Sequence, residues 1–168
     1  MGLGRHESRC AEREPPVPKR RTGIALTPAR LRLLIESATG CWCLPVFLEI
    51  SAATGARRGE VLALRWTDIE NGAVTICRSL SQTKAGLAFK ETKTETPRVV
   101  VLPQSALKAL EAHKQAQQSF KQEFGRAYKG DLDLIFANPD GTLLKPYSIS
   151  SSVSLLFLGD SRSRNRRG

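Results

Sequence analysis

The stretch "AATGARRGEVLALRW" at residues 52–66 sets two adjacent arginines between a Thr-Gly pair and an apolar run. The apolar run, residues 61–64, predicts a helix that begins near Arg57 and Arg58. The N-terminal end of a helix dipole is positive, so each cation there costs roughly a few tenths of a kcal/mol. Because the preceding segment, Leu44 to Ala53, is also apolar, the arginine pair lies between two core-facing helices. A bound group of opposite charge would offset its electrostatic cost.

A bound anion would be such a group. Free N–H groups at a helix start attract anions, and a guanidinium holds two phosphate oxygens at once. Glu60, in the same turn, is placed to orient one arginine by a salt bridge. The alternative is a surface arginine pair and a glutamate that keep the helix start soluble, since structural ion pairs resemble sites.

Composition is that of a soluble globular protein, with 168 residues, 40% of them hydrophobic and 25% charged. Its 26 basic and 16 acidic residues give a net charge of +10. The two ends, residues 1–22 and 159–168, contribute +6 of this excess (six basic and three acidic, then four basic and one acidic). Such charge makes nucleic acid a partner to consider.

Several other classes are disfavoured. The N-terminus has no apolar region of a secretory signal, and no uncharged run approaches the 18 residues that a membrane span needs. The four cysteines show no paired CxxC spacing, which argues against a zinc site and favours reduced thiols. We therefore expect a cytoplasmic protein with no metal and no membrane partner.

Changes of period divide the chain. Residues 1–22 mix prolines and charges and predict a basic disordered arm or linker, and residues 159–168 predict a basic disordered tail. Between them, residues 23–158 predict an α+β domain, mainly helical with a small three-stranded antiparallel sheet. Helices are predicted at 28–38, 45–53, from the arginine motif to about 66, from 104 to 118 or beyond with a solvated end, and at 148–157. Strands are predicted at 73–80, 86–91 and 97–103.

A second basic cluster lies between two predicted strands, in "KETKTETPR" at residues 90–98. Lys90, Lys93 and Arg98 crowd a loop tip that could enter a groove of nucleic acid. The alternative is a solubility device, because lysines at hairpin tips and sheet edges commonly prevent aggregation.

Together the two segments resemble the catalytic domain of phage integrases, the tyrosine recombinase family. That family carries Thr-Gly-x-Arg-x-x-Glu at a helix start, then Leu-x-x-x-Asp-Ile, then a three-stranded sheet with a lysine between its second and third strands. "TGARRGEVLALRWTDI" at 54–69 and the lysine segment match this order. The resemblance takes in "LTPARLRLLIESA" and "FANPDGTLLKPYSISS", and covers roughly residues 24–157.

The resemblance implies roles for individual residues. Arg57 would clamp the scissile phosphate, Glu60 would support it, and Lys93 would be the general acid toward the leaving 5′-oxygen, with Lys90 as the alternative. Further predicted contacts to the DNA backbone are Arg58, Lys84, Lys90 and Arg98. In this family a tyrosine attacks the phosphodiester and forms a 3′-phosphotyrosine, with no metal or nucleotide cofactor.

The later part of the family pattern is missing. The family continues with His-x-x-Arg, a further His or Trp, and the nucleophilic Tyr. Here His113 is followed by Lys-Gln-Ala, while Tyr128 and Tyr147 precede that region and are expected to pack or to lie in loops. We therefore expect a truncated site-specific DNA recombinase, the front half of the catalytic domain, inactive alone, and its last ten residues suggest a shifted reading frame. The alternative is a non-catalytic DNA-binding module that modulates a full-length recombinase.

The expected partners are double-stranded DNA and full-length recombinase protomers, with no small-molecule substrate. An RNA-binding domain ranks last, because stacking platforms need aromatic residues on the strands and only Phe89 qualifies. A half-domain would also leave the apolar faces of segments 44–53 and 61–66 open to water, and exposed apolar surface favours aggregation or a partner.

Overall fold

The computed structural model describes residues 26–38, 40–91 and 97–164, and of residues 91 and 157–164 it describes the backbone alone. The helices in these ranges are α1 (Pro28–Glu36), α2 (Leu44–Thr54), α3 (Arg58–Leu62), α4 (Gln104–Phe124) and α5 (Pro146–Arg164). The strands are β1 (Ile69–Glu70), β2 (Ala73–Ile76), β3 (Arg78–Thr83), β4 (Gly86–Glu91) and β5 (Arg98–Val101). Short 3₁₀ turns lie at Trp66–Asp68 and Gly125–Ala127. The predicted α+β class, mainly helical with a small antiparallel sheet, is confirmed.

The strands are divided differently from the prediction. One sheet has the order β1-β2-β5, and β3 pairs with β4 in a separate hairpin. The segment predicted as one strand over 73–80 is interrupted at Cys77: Ile76 pairs with Arg98, whereas Arg78 pairs with Glu91. The chain therefore pairs with β5 before Cys77 and with β4 after it. These two partners are separate strands, since six residues lie between Glu91 and Arg98 along the chain.

The core lies between the helices and the two sheets. Leu44, Phe47 and Ile50 of α2 and Val61 and Leu62 of α3 are all buried. The expectation that these two helices expose their apolar faces was wrong, because α4 packs against α2 and β3 packs against α3. Exposed apolar surface lies instead on α1, which has no buried residue and leaves Leu33 63% exposed.

Helix α4 is anchored by polar residues in the stretch that the sequence predicts as its solvated end. His113 is 4% exposed, stacks on Trp42 with ring centroids 4.3 Å apart, and hydrogen-bonds through Nε2 to the Ile135 carbonyl at 2.7 Å. Gln117 is 2% exposed and donates to the Leu134 carbonyl at 2.9 Å. The middle turns of the helix thus cover residues 134 and 135, whereas its end, residues 122–124, is exposed as predicted.

Helix α5 follows a turn that closes when the Gly141 N–H donates to the Asn138 carbonyl at 2.8 Å. The helix runs on to Arg164, so its last six residues fall in the segment that the sequence predicts as a disordered tail. The predicted arm at 1–22 lies outside the described residues. Across the helices that are described, none is long and apolar enough to cross a bilayer.

Candidate functional site

The turn between α2 and α3 follows from the Thr-Gly pair. Gly55 ends α2 with φ 60, in the left-handed region that glycine adopts without a steric penalty. The Thr54 hydroxyl donates to the Ile50 carbonyl at 2.7 Å and accepts from the Ala56 N–H at 3.2 Å. Arg57 is then extended, with φ −66 and ψ 148, and caps α3, which begins at Arg58. The arginine pair therefore stands at a helix start, as predicted.

A buried carboxylate organises this helix start. Glu60 is 2% exposed, and its Oε2 accepts from the Arg57 backbone N–H at 2.9 Å and from Arg98 Nη2 at 2.6 Å. Its Oε1 lies 3.5 Å from Arg57 Nη1. The contact to the Arg57 N–H is one half of a capping box, and arginine, which has no acceptor, cannot supply the other half. Glu60 thus joins α3 to β5.

Two opposing effects act on the Glu60 carboxyl. Burial raises the pKa of Glu60, whereas the hydrogen bonds from Arg98 and the Arg57 backbone, with the charges of both arginines, lower it. The arginine contacts prevail, and the pKa lies below its usual value of 4.5. Glu60 is therefore ionised at neutral pH and holds both guanidinium groups.

The two arginines differ in how far they reach into water. The Arg57 side chain is 83% exposed, while that of Arg98 is 42% exposed. Arg57 contacts Glu60 through one nitrogen at 3.5 Å, so its remaining donors face solvent. Arg98, which the sequence predicts as a DNA contact, is the closer partner of Glu60.

Gly59 lets α3 approach the β3–β4 hairpin. A Cβ at this position would lie 2.5 Å from the Leu80 carbonyl oxygen and 2.6 Å from Ser79 Oγ. Contacts this short are excluded for real side chains, so only glycine fits without displacement. The second glycine of the arginine motif is thus explained by packing against β3.

A groove of about 720 Å³ opens beside the arginines. It is lined by the starts of α3 and α5 and by strand β3: Arg57, Arg58, Gly59, Ser79, Leu80, Ser81, Gln82, Pro146 and Tyr147. Arg58 Nη1 donates to Ser150 Oγ, which ties α3 to α5. Tyr147, expected to pack or to lie in a loop, is 73% exposed in the first turn of α5. The groove therefore combines two guanidinium groups with hydroxyl groups.

The predicted lysines fall at different places. Lys84 is exposed in the turn between β3 and β4. Lys90 lies within β4 rather than at a loop tip, directly opposite Ser79, and residues opposite each other share a face of the hairpin. Lys93 lies outside the described residues. Of the two lysines that the structure describes, Lys90 thus lies across the hairpin from Ser79, which lines the groove.

Some groove residues escaped sequence analysis. Tyr147 lines the groove, and Ser150 accepts from Arg58 across 92 positions of sequence; no local pattern marks either placement. In the part of the chain that the structure describes, no three His, Cys, Asp or Glu side chains cluster in a way that could hold a metal ion.

Solved structures share this architecture. The Tn1549 transposon integrase, in complex with a circular intermediate DNA, matches with a TM-score of 0.66 and 17% identity, over 90% of this chain and 47% of that chain. The XerA recombinase matches with a TM-score of 0.58 and 18% identity, over 85% of this chain and 44% of that chain. The fold is that of a tyrosine recombinase catalytic domain, so the resemblance found in the sequence is confirmed.

One curated relative is similar in sequence as well. It is named "Putative defective protein IntQ", from Escherichia coli (strain K12), and is 29% identical over 122 residues, which are 67% of this chain and 29% of that protein. No family model matches the chain. The chain spans less than a third of this relative and about half, 47%, of the Tn1549 integrase chain.

Proposed function

We propose that this chain binds double-stranded DNA as the part of a site-specific tyrosine recombinase that holds the scissile phosphate, with Arg57 as the phosphate ligand. The observation that carries the proposal is the Arg57 guanidinium, 83% exposed at the groove yet held from behind by a carboxylate that is 2% exposed. A restrained guanidinium loses less conformational freedom on binding than a free one.

The charges of the cluster support an anionic ligand. Glu60 carries one negative charge and Arg57 and Arg98 one positive charge each, which sum to +1, and Arg58 on the same groove raises the sum to +2. A DNA phosphodiester carries one negative charge. Because Arg98 already neutralises Glu60 at 2.6 Å, the charge of Arg57 remains for the phosphate.

Other basic residues would extend the interface along the backbone. Lys84 in the hairpin turn and Lys90 opposite Ser79 would contact phosphates beside the groove. Lys93 is assigned the general-acid role by resemblance alone. Replacing Lys93 by Ala should reduce the salt slope of DNA binding by about one, with the exposed Lys108→Ala as control. An unchanged slope in K93A would argue against a contact at that position.

Cleavage by the 168 residues alone is not expected. After the lysine segment the sequence holds no His-x-x-Arg, and a phosphotyrosine cannot form without its nucleophile and activating groups. Incubating the chain with nicked or supercoiled DNA should give no covalent adduct. Since Tyr147 lines the groove, an adduct that Y147F abolishes would overturn this expectation.

DNA binding tests the proposed function directly. Fluorescence anisotropy with a labelled duplex should show R57A binding about tenfold more weakly than the parent, as expected for losing one charge-assisted bidentate contact. Arg126→Ala removes the same charge from an exposed site in the 3₁₀ turn at Gly125–Ala127, outside the groove, and should change affinity by less than about twofold. Equal losses in both variants would reduce the binding to general charge attraction.

The same groove, without the nucleophilic tyrosine that the family uses, favours a second function. The chain would occupy recombination sites and lower the activity of a complete recombinase. Adding the parent chain to such an enzyme on its own DNA should slow recombination, whereas R57A should not. Inhibition that R57A retains would show that the effect does not depend on this groove.

A further inference from the structure

The turn that leads into α2 carries two cysteines two positions apart. The Leu44 N–H donates to the Cys41 carbonyl at 2.9 Å and closes the turn. Sγ of Cys41 then lies 3.2 Å from Sγ of Cys43. A disulfide is about 2.0 Å long, so the two sulfurs need to approach by roughly 1 Å to bond.

The two thiols differ in access. Cys43 is 0% exposed, whereas Cys41 is half-buried and reaches the surface. A reagent from solvent therefore meets Cys41 first. Cys43 lies behind it, within reach of whatever group becomes attached to the Cys41 sulfur.

Their protonation also differs. The hydrogen bond with the Cys43 side chain, assisted by the Cys43 backbone N–H, lowers the pKa of Cys41 to about 6 against the opposing effect of burial. The same contact with Cys41, together with burial and the nearby charge, raises the pKa of Cys43. At neutral pH the outer sulfur is a thiolate, the reactive form, and the inner one is a thiol.

We propose that Cys41 and Cys43 form a dithiol modification site for low-molecular-weight disulfides, with Cys41 as the attacking and Cys43 as the resolving thiol. The Cys41 thiolate attacks one sulfur of the reagent, the reagent's S–S bond breaks, and one thiolate leaves. Cys43 then loses its proton to that leaving thiolate and attacks the Cys41 sulfur, which releases the second thiolate. The protein is oxidised by two electrons, and the reagent is reduced to two thiols.

The residue between the cysteines links this site to the core. Trp42 donates through Nε1 to the Ala137 carbonyl at 3.0 Å and stacks on His113 with centroids 4.3 Å apart. Closing the disulfide constrains the backbone on both sides of this ring. Its fluorescence provides a second signal for the reaction.

The test uses the full 168-residue chain with Cys10 and Cys77 replaced by Ser, so that Cys41 and Cys43 are the remaining thiols. Glutathione disulfide at neutral pH should convert it to a form with an internal disulfide and no retained glutathione, reversible by dithiothreitol. Adding Cys43→Ser, which keeps a hydrogen-bond donor, should trap one glutathione on Cys41. Adding Cys41→Ser should slow modification at least about tenfold.

Mass spectrometry distinguishes these products, and circular dichroism shows whether each variant is folded. Glutathione stably retained by the chain with both cysteines, or an unchanged rate in the Cys41→Ser variant, would overturn the proposal. Should Cys43→Ser fail to fold, alkylation by iodoacetamide of the chain with both cysteines remains decisive. The rate of Cys41 alkylation should reach half its maximum near pH 6, while Cys43 should stay unlabelled. Equal labelling of both thiols would contradict the assignment.

Discussion

The carboxylate of Glu60 accepts a hydrogen bond from Arg98 at 2.6 Å, across 38 positions of sequence. The same oxygen accepts the Arg57 backbone N–H at 2.9 Å. One buried group thus fixes the start of α3 to the start of β5, and this leaves the Arg57 guanidinium free to face the groove. Glu60 acts on the proposed phosphate site through the two arginines that it holds.

Replacing this carboxylate by an amide tests the coupling. Glu60→Gln should lower the free energy of unfolding by about 2 kcal/mol, because Arg98 loses its charged partner. The loss is smaller than for a fully buried pair, since Arg98 is 42% exposed. Urea denaturation of E60Q beside E111Q, an exposed site on α4, measures it. A change below about 0.5 kcal/mol in E60Q would mean that the contact contributes little to stability.

The two glycines of the arginine motif should respond differently to alanine. Gly59→Ala forces a Cβ to within 2.5 Å of the Leu80 carbonyl, and overpacking of this kind costs about 1–3 kcal/mol. Gly55→Ala meets no atom within 4 Å and bears only the strain of φ +60, roughly 1–2 kcal/mol. Urea denaturation should rank G59A as less stable than G55A, and the reverse order would contradict the packing of α3 against β3.

Stability should fall on acidification because of His113. Burial lowers the pKa of His113 from its ordinary 6.5 against the opposing hydrogen bond to Ile135. The unfolded state therefore binds more protons, and the stabilisation, full above about pH 6.5, is lost as the pH falls below it.

Comparison with His113→Gln isolates this effect, because Cys41, whose pKa is lowered to about 6, changes stability in the same direction. H113Q should flatten the dependence of unfolding free energy on pH. His6→Gln, which removes the other histidine of the chain, should leave the dependence unchanged. Parallel curves for the parent and H113Q would refute the assignment to His113.

The helices and the position of the arginine motif could be predicted from sequence because their signals are local. Thr27 accepts from the Arg30 N–H and Pro28 begins α1, as the sequence suggests. Gly55 ends α2 at the Thr-Gly pair that precedes the predicted helix start. Local chemistry was thus sufficient for the order of elements.

Contacts between distant residues could not be predicted. The change of partner at Cys77 depends on where β4 and β5 lie, and the burial of His113 and Gln117 depends on the carbonyls of Ile135 and Leu134. A polar stretch on a helix predicts a solvated face, yet here tertiary hydrogen bonds satisfy those side chains in the core. The pairing of Glu60 with Arg98 is of the same kind.

The most direct test of the central claim is to locate DNA on the chain by nuclear magnetic resonance. Titrating a short duplex into labelled protein should shift the amides of Arg57 to Glu60 and of Ser79 and Ser81 first, together with the Arg57 side-chain signal. The backbone shifts should require about tenfold more duplex in R57A and should be unchanged in R126A. Shifts confined to surfaces away from the groove, or unaffected by R57A, would contradict a phosphate site at Arg57.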